Sequence, residues 1–193
     1  DDYCRGVADD PGSVNAAAYR DLQGAAAAAL SSTEGNWRVT DFVTLGSPLT
    51  HAEFLISRDR LAFDQRKAER LFPTCPPMLE AGPKPSFLYD GRKYAHHAAM
   101  FAIMRWTNIH DPGRLVLSGD FISGPCAPNF GPGIVDVPVR ISRGGLFGRL
   151  ITHTDYWNME AGGSASDADG AKLGIDHLSA EPKAHIKLLR AAL

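Results

Sequence analysis

Residues 37–49 read Trp37-Arg38-Val39-Thr40-Asp41-Phe42-Val43-Thr44-Leu45-Gly46-Ser47-Pro48-Leu49. β-Branched and aromatic residues crowd the first nine positions, and Gly46-Ser47-Pro48 stops them, which predicts a buried strand over 37–45. Immediately upstream, residues 12–30 are rich in Ala, Leu, Gln, Tyr and Arg behind Pro11-Gly12-Ser13. That composition predicts a helix, with Ser13 as its N-cap. A helix feeding a strand is the repeating half of an α/β sheet.

Downstream, Phe54, Leu55, Leu61, Phe63 and Leu71 stand among charged residues and predict one or two exposed amphipathic helices over 49–72. Pro73, Pro76, Pro77, Pro83 and Pro85 then interrupt regular structure, so residues 50–98 are expected to form an inserted surface or lid-like excursion. A second strand is expected over Met100–Ile109, closed by the turn Asp111-Pro112-Gly113. Glycine- and proline-rich loops lead to a short strand over Ile134–Ile141. Ala161–Gly170, made of Gly, Ser, Ala and Asp, is expected to be a flexible loop. Pro182 opens a terminal helix carrying Ile186, Leu188, Leu189 and Leu193.

The chain has 193 residues, 44% hydrophobic and 22% charged, which suits one ordinary globular domain over 1–193. Twenty basic and twenty-two acidic residues are interspersed, so no nucleic-acid footprint is expected. The apolar runs around Ala25–Leu30 and Ala98–Met104 are far shorter than the roughly 20 residues that cross a bilayer. Cys4, Cys75 and Cys126 are widely spaced and odd in number, hence expected to be free thiols, which favours a reducing, cytoplasmic setting. The sequence opens Asp-Asp-Tyr with no visible targeting leader, and its natural start is expected upstream.

Three segments carry a resemblance: Val43-Thr44-Leu45-Gly46-Ser47-Pro48-Leu49, then Arg105-Trp106-Thr107-Asn108-Ile109-His110-Asp111-Pro112, then His153-Thr154-Asp155-Tyr156-Trp157. Together they resemble the late strands of α/β-hydrolases of the lipase and esterase kind. In that family a strand ending T-L-G-S-P follows the nucleophile helix, a W-x-N-x-x-D-P-type segment delivers the acid, and an H-T-x-Y-W-type segment delivers the histidine. The resemblance covers roughly residues 12–160 apart from the proline-rich excursion. It implies a partial α/β-hydrolase fold, a mostly parallel sheet with flanking helices, forming the C-terminal part of such an enzyme.

A hydroxyl nucleophile needs a neutral imidazole to take its proton, and the imidazole needs a carboxylate to fix its tautomer. In this fold the chain order is nucleophile, acid, histidine, each at the C-terminal end of a strand. Asp111 and His153 satisfy that order as acid and base. Asp120, after Leu115-Val116-Leu117-Ser118-Gly119, competes for the acid role, while His110, His96 and His97 read as solvated or structurally satisfied. The nucleophile elbow G-x-S-x-G is absent from the sequence. Asp10 would stand at the elbow position ahead of the first helix, but the residues before it are too polar for a central strand. Ser47 has the right order too, although Pro48 lacks the N–H that an oxyanion hole needs.

The expected activity is therefore hydrolysis of an ester or related acyl bond, on a small-molecule or lipid ester, by a serine ahead of residue 1 and without a cofactor. An inactive hydrolase-like binding module is the alternative. A metal-dependent phosphoesterase is a third, suggested by Ser118-Gly119-Asp120 but missing the companion D-x-H and G-N-H motifs.

Overall fold

The structure is a computed structural model and describes residues 14–32, 37–79, 86–112, 122–142, 155–158 and 160–193. Where one domain is expected over 1–193, the chain divides into two compact units. The first comprises the described residues of Asp1–Phe42, Ala52–Trp106 and Ala127–Ile134, the second those of Val43–His51, Thr107–Cys126 and Val135–Leu193. Most of the 50–98 excursion belongs to the first unit.

In the first unit the alanine-rich stretch forms α1, Ala16–Ser31. Ser13 lies outside the described residues; Asn15 is the N-cap, its side chain accepting the Ala18 N–H at 3.1 Å. Tyr19, Gln23 and Ala27, spaced by four, are buried on one face. A buried polar side chain must find partners. The Tyr19 hydroxyl donates to the Phe101 carbonyl at 2.6 Å, and Gln23 Nε2 donates to the carbonyls of Phe101 and Met104 at 2.7 and 2.6 Å. Those carbonyls end a 3-10 helix, His97–Ala102, where a continuous strand from Met100 is expected. Only the second part of that stretch, Arg105–His110, is extended.

Two short helices, α2 (Ala52–Leu55) and α3 (Arg60–Ala68), stand within 49–72, with Asp59 capping α3 through the Ala62 N–H; of the apolar residues expected to pattern them only Phe63 is buried, while Phe54, Leu55, Leu61 and Leu71 are exposed. Residues Ser86–Tyr89 (β2) and Arg92–Ala95 (β3) form an antiparallel hairpin inside the excursion. Its turn is Asp90-Gly91, with φ of 48° and 68°, the left-handed pair that a two-residue hairpin turn requires. The core of this unit is aromatic. Trp106 stacks on Phe101 at 4.6 Å and meets Phe42 edge-on at 5.2 Å and Phe130 at 5.3 Å. Phe130, which ends the short helix α4, Ala127–Phe130, in turn meets Phe63 edge-on.

Strand β1 is Asp41–Leu45, shorter than the 37–45 expected, and β4 is Arg105–His110; with β5, Val135–Pro138, they form a small sheet in the order β1-β4-β5. β4 and β5 are parallel, pairing Thr107 with Val135 and Ile109 with Val137. The bonds from Arg105 N–H to Thr40 O and from Gly46 N–H to Ile109 O advance along β1 and β4 in the same sense, so these two are parallel as well. A mixed α/β architecture with a parallel sheet is thus present. The strand expected over Ile134–Ile141 is split at Val139, whose N–H turns to the His110 carbonyl at 2.8 Å.

In the second unit β6 (Arg140–Ser142) pairs antiparallel with β7 (Gly162–Ser164), followed by α5 (Asp167–Ala171) and α6 (Ala184–Ala192). The segment Ala161–Gly170, expected as a flexible loop, is therefore partly regular. Ser166 caps α5 by accepting the Asp169 N–H. Gly163 bonds the Pro182 carbonyl and lies against the buried His185 ring, where a Cβ would overlap Nδ1. The absence of a side chain is what makes that approach possible. Gly163→Ala is expected to lower stability by about 1–3 kcal/mol, the usual cost of overpacking, read as a fall in Tm. No described helix is long and apolar enough to cross a membrane.

Candidate functional site

The C-terminal ends of β1 and β4 lie side by side in the second unit. From the end of β4 comes Asp111, buried at 6% exposure. Its N–H donates to the Tyr156 hydroxyl at 2.6 Å and more weakly to Ser123 Oγ at 3.4 Å, and Ser123 and Tyr156 share a hydrogen bond of 3.0 Å. The carboxylate accepts the Ile141 N–H at 3.4 Å through Oδ2. A main chain fixed by a buried phenol and hydroxyl holds the carboxyl group in one orientation, as an orienting acid requires.

Tyr156 belongs to a 3-10 turn, Asp155–Trp157, and is almost fully buried. It stands three positions after His153. His153 itself, Asp120 and Asp10 lie outside the described residues. So does the Ser118-Gly119-Asp120 stretch of the phosphoesterase alternative. Among the described residues no cluster of three or more His, Cys, Asp or Glu could hold a metal ion.

Ser47 follows β1 through Gly46, whose φ of 58° lies in the left-handed region that favours glycine. Ser47 Oγ accepts the Leu49 N–H at 3.3 Å, and Pro48 opens a 3-10 helix, Pro48–His51. The serine thus sits at a strand-to-helix turn, at the same end of the sheet as Asp111. The proline still withholds the backbone N–H that would face an oxyanion.

Asn108 organises the strands beneath. Its side chain is fully buried and satisfied: Nδ2 donates to Gly124 O at 2.9 Å and to Asp136 Oδ1 at 2.6 Å, and Oδ1 accepts the Thr44 hydroxyl at 2.9 Å. β1, β4, β5 and the loop at Gly124 meet on this one amide. Gly124 must be glycine because a Cβ would come within 2.7 Å of Thr50 Oγ1. Asp136 also accepts the Cys126 N–H at 2.8 Å. Burial, with Asp136 adding to it, pushes the Cys126 thiol up to about 12. Cys126 is expected to resist iodoacetamide at pH 8 in the folded protein and to react once denaturant is added, as mass spectrometry would read directly.

His110 is buried rather than solvated, 6% exposed, and its Nδ1 finds no hydrogen-bond partner among the described residues. Burial lowers its pKa below the ordinary 6.5; Asp136 and Asp111 oppose the shift and Lys172 adds to it. Since the unfolded chain binds this proton more readily, the neutral ring contributes stability above pH about 6.5 that is lost as pH falls through the folded-state value. His110→Gln is expected to flatten this loss, measured as urea midpoints between pH 7.5 and 5. His96 also has a buried Nδ1 with no partner among the described residues, while its Nε2 bonds Met78 O at 2.9 Å, and His97 is exposed.

Tyr156, Ser123 and Asp136 are site residues that the sequence reading missed. The one available signal is that an aromatic phenol next to a predicted catalytic histidine, if buried, must bond something polar. Comparison with protein-family models, with characterised proteins and with solved structures returned no match.

Proposed function

We propose that this chain carries the acid and the base of an esterase-type hydrolase, with Asp111 orienting His153 as general base and the serine nucleophile on chain ahead of residue 1. One observation carries the reading: the Tyr156 hydroxyl accepts the Asp111 N–H, which holds Tyr156 at the end of the strand that would deliver the acid. In the sequence Tyr156 follows His153 by three positions, a span of roughly 10 Å at most. The substrate class is an ester or related acyl compound, and the chemistry calls for no cofactor.

Ser47 is a second reading of the nucleophile, favoured by its strand-to-helix turn beside Asp111. A fluorophosphonate probe on the longest natural form of the protein separates the possibilities. Labelling that slows by at least about 100-fold in His153→Ala supports the triad. Loss of labelling in Ser47→Ala would move the nucleophile to Ser47, and retention would leave it upstream. Labelling at full rate in His153→Ala would sink the assignment, and no labelling of the wild type would favour the inactive binding module.

A further inference from the structure

We infer that the cavity of the first unit is a binding site for an anionic amphiphile, a molecule with an extended apolar body and a carboxylate-type head. The cavity encloses about 620 Å³, within the range of small-molecule sites. Its walls are the end of α3, the loop 74–79, and α4 with the loop that follows it to residue 132.

The two loops are welded before any ligand arrives. Cys75 donates its N–H to Phe130 O at 2.7 Å, and Gly133 donates to Cys75 O at 2.7 Å. Lys67 Nζ reaches across to Asn129 O at 2.9 Å. Gly131, at φ 114°, lies so close that a Cβ would come within 2.5 Å of Cys75 O. A cavity built this rigidly spends little binding energy on ordering its walls.

Pro76, Pro77, Met78, Pro128, Phe130 and Pro132 make the lining mostly hydrocarbon, with proline rings that lose no rotamer freedom on contact. Its polar side chains include two cations and a hydroxyl donor, while Asn129 turns its Oδ1 to Arg60 at 2.9 Å. Thr74, in the floor, takes the Met78 N–H on Oγ1 at 3.0 Å and keeps its own hydroxyl proton to donate. Lys67 commits two of its three N–H groups, to Asn129 O and Asp64 at 2.8 Å, while its charge rests over the Phe63 ring. Arg70 is the second cation of the lining, its guanidinium donating to Leu79 O at 2.6 Å and Ala68 O at 3.1 Å, and among the described lining residues there is no carboxylate, Asp64 meeting Lys67 from outside the cavity. Two cations, a hydroxyl donor and an apolar wall select an anionic head on a hydrocarbon body over a cationic one. The inference rests on the first unit alone and does not depend on the hydrolytic reading.

Titration calorimetry with dodecanoate below its micellar concentration tests it, with dodecyltrimethylammonium as the charge-reversed control. Saturable one-to-one binding of dodecanoate is expected, with the ammonium weaker by at least about tenfold. Ala68→Trp, at the exposed rim, should obstruct the cavity and weaken dodecanoate by about tenfold or more, with Met78→Trp as a second obstruction should the first perturb the helix. Lys67→Gln should weaken dodecanoate while leaving the ammonium unchanged. Absence of saturable binding, equal affinity for the two head groups, or affinity untouched by both tryptophans would each overturn the assignment.

Discussion

Asp111→Asn is expected to lower ester hydrolysis by the nucleophile-bearing protein by about three to four orders of magnitude while leaving the fold intact. The reason for the rate loss is the tautomer: an amide in place of the carboxylate neither holds the imidazole in its accepting form nor stabilises the imidazolium that follows. A loss of that size is about 4–5.5 kcal/mol of transition-state stabilisation. The fold should survive because Tyr156 and Ser123 bond the main-chain N–H of residue 111, which the substitution retains. Asparagine also keeps an oxygen to accept the Ile141 N–H. kcat/KM on a p-nitrophenyl ester checks the first half and thermal unfolding the second. A variant with full activity, or one whose activity falls only in step with its unfolding, would remove Asp111 from the acid role.

Asn108→Leu should instead cost stability, by about 3–5 kcal/mol. Leucine fills a similar volume but withdraws two donors and one acceptor from Gly124, Asp136 and Thr44. The lost bond to Asp136 weighs most, because it reaches a carboxylate partly removed from water. Against a total of about 5–15 kcal/mol for a typical domain, this single exchange should bring the protein close to half-unfolded at moderate urea. Asn108→Asp should be at least as damaging, since it turns the donor to Asp136 into a second negative group. Denaturation midpoints for the two variants would check both expectations.

Particular residues show why some of this was readable in advance. Arg105–His110 announces a strand because aromatic and β-branched residues alternate into an Asp-Pro-Gly stop, and local pattern alone decides it. The first half of the same apolar run does not become strand, because Tyr19 and Gln23 take the Phe101 and Met104 carbonyls from some 80 positions away. No window on the sequence contains that instruction. Gly162-Gly163-Ser164 reads as loop by composition and becomes strand because a small backbone fits against His185 and pairs with β6.

The Asp90-Gly91 hairpin is a different case. The dipeptide is among the strongest short-range turn signals, whereas Pro83 and Pro85 just upstream signal a break in regular structure. Of the candidate site, Asp111 at a parallel strand end was legible from order and motif. The phenol that holds it was not, since a hydrogen bond from Tyr156 to residue 111 depends on how the chain returns.

The Asn108 amide has a bearing on how the chain finds its pairing as well as on how it keeps it. Side chains alternate along a strand, so a slip of β4 by one residue would present Thr107 or Ile109 to Asp136. Neither side chain can donate to Asp136, take the Thr44 hydroxyl and reach the Gly124 carbonyl at once. Packing alone discriminates weakly between neighbouring alignments in a strand buried on both faces. One amide with three distant partners makes every misaligned pairing pay in unsatisfied polar groups, so Asn108 acts as a proofreader of strand alignment.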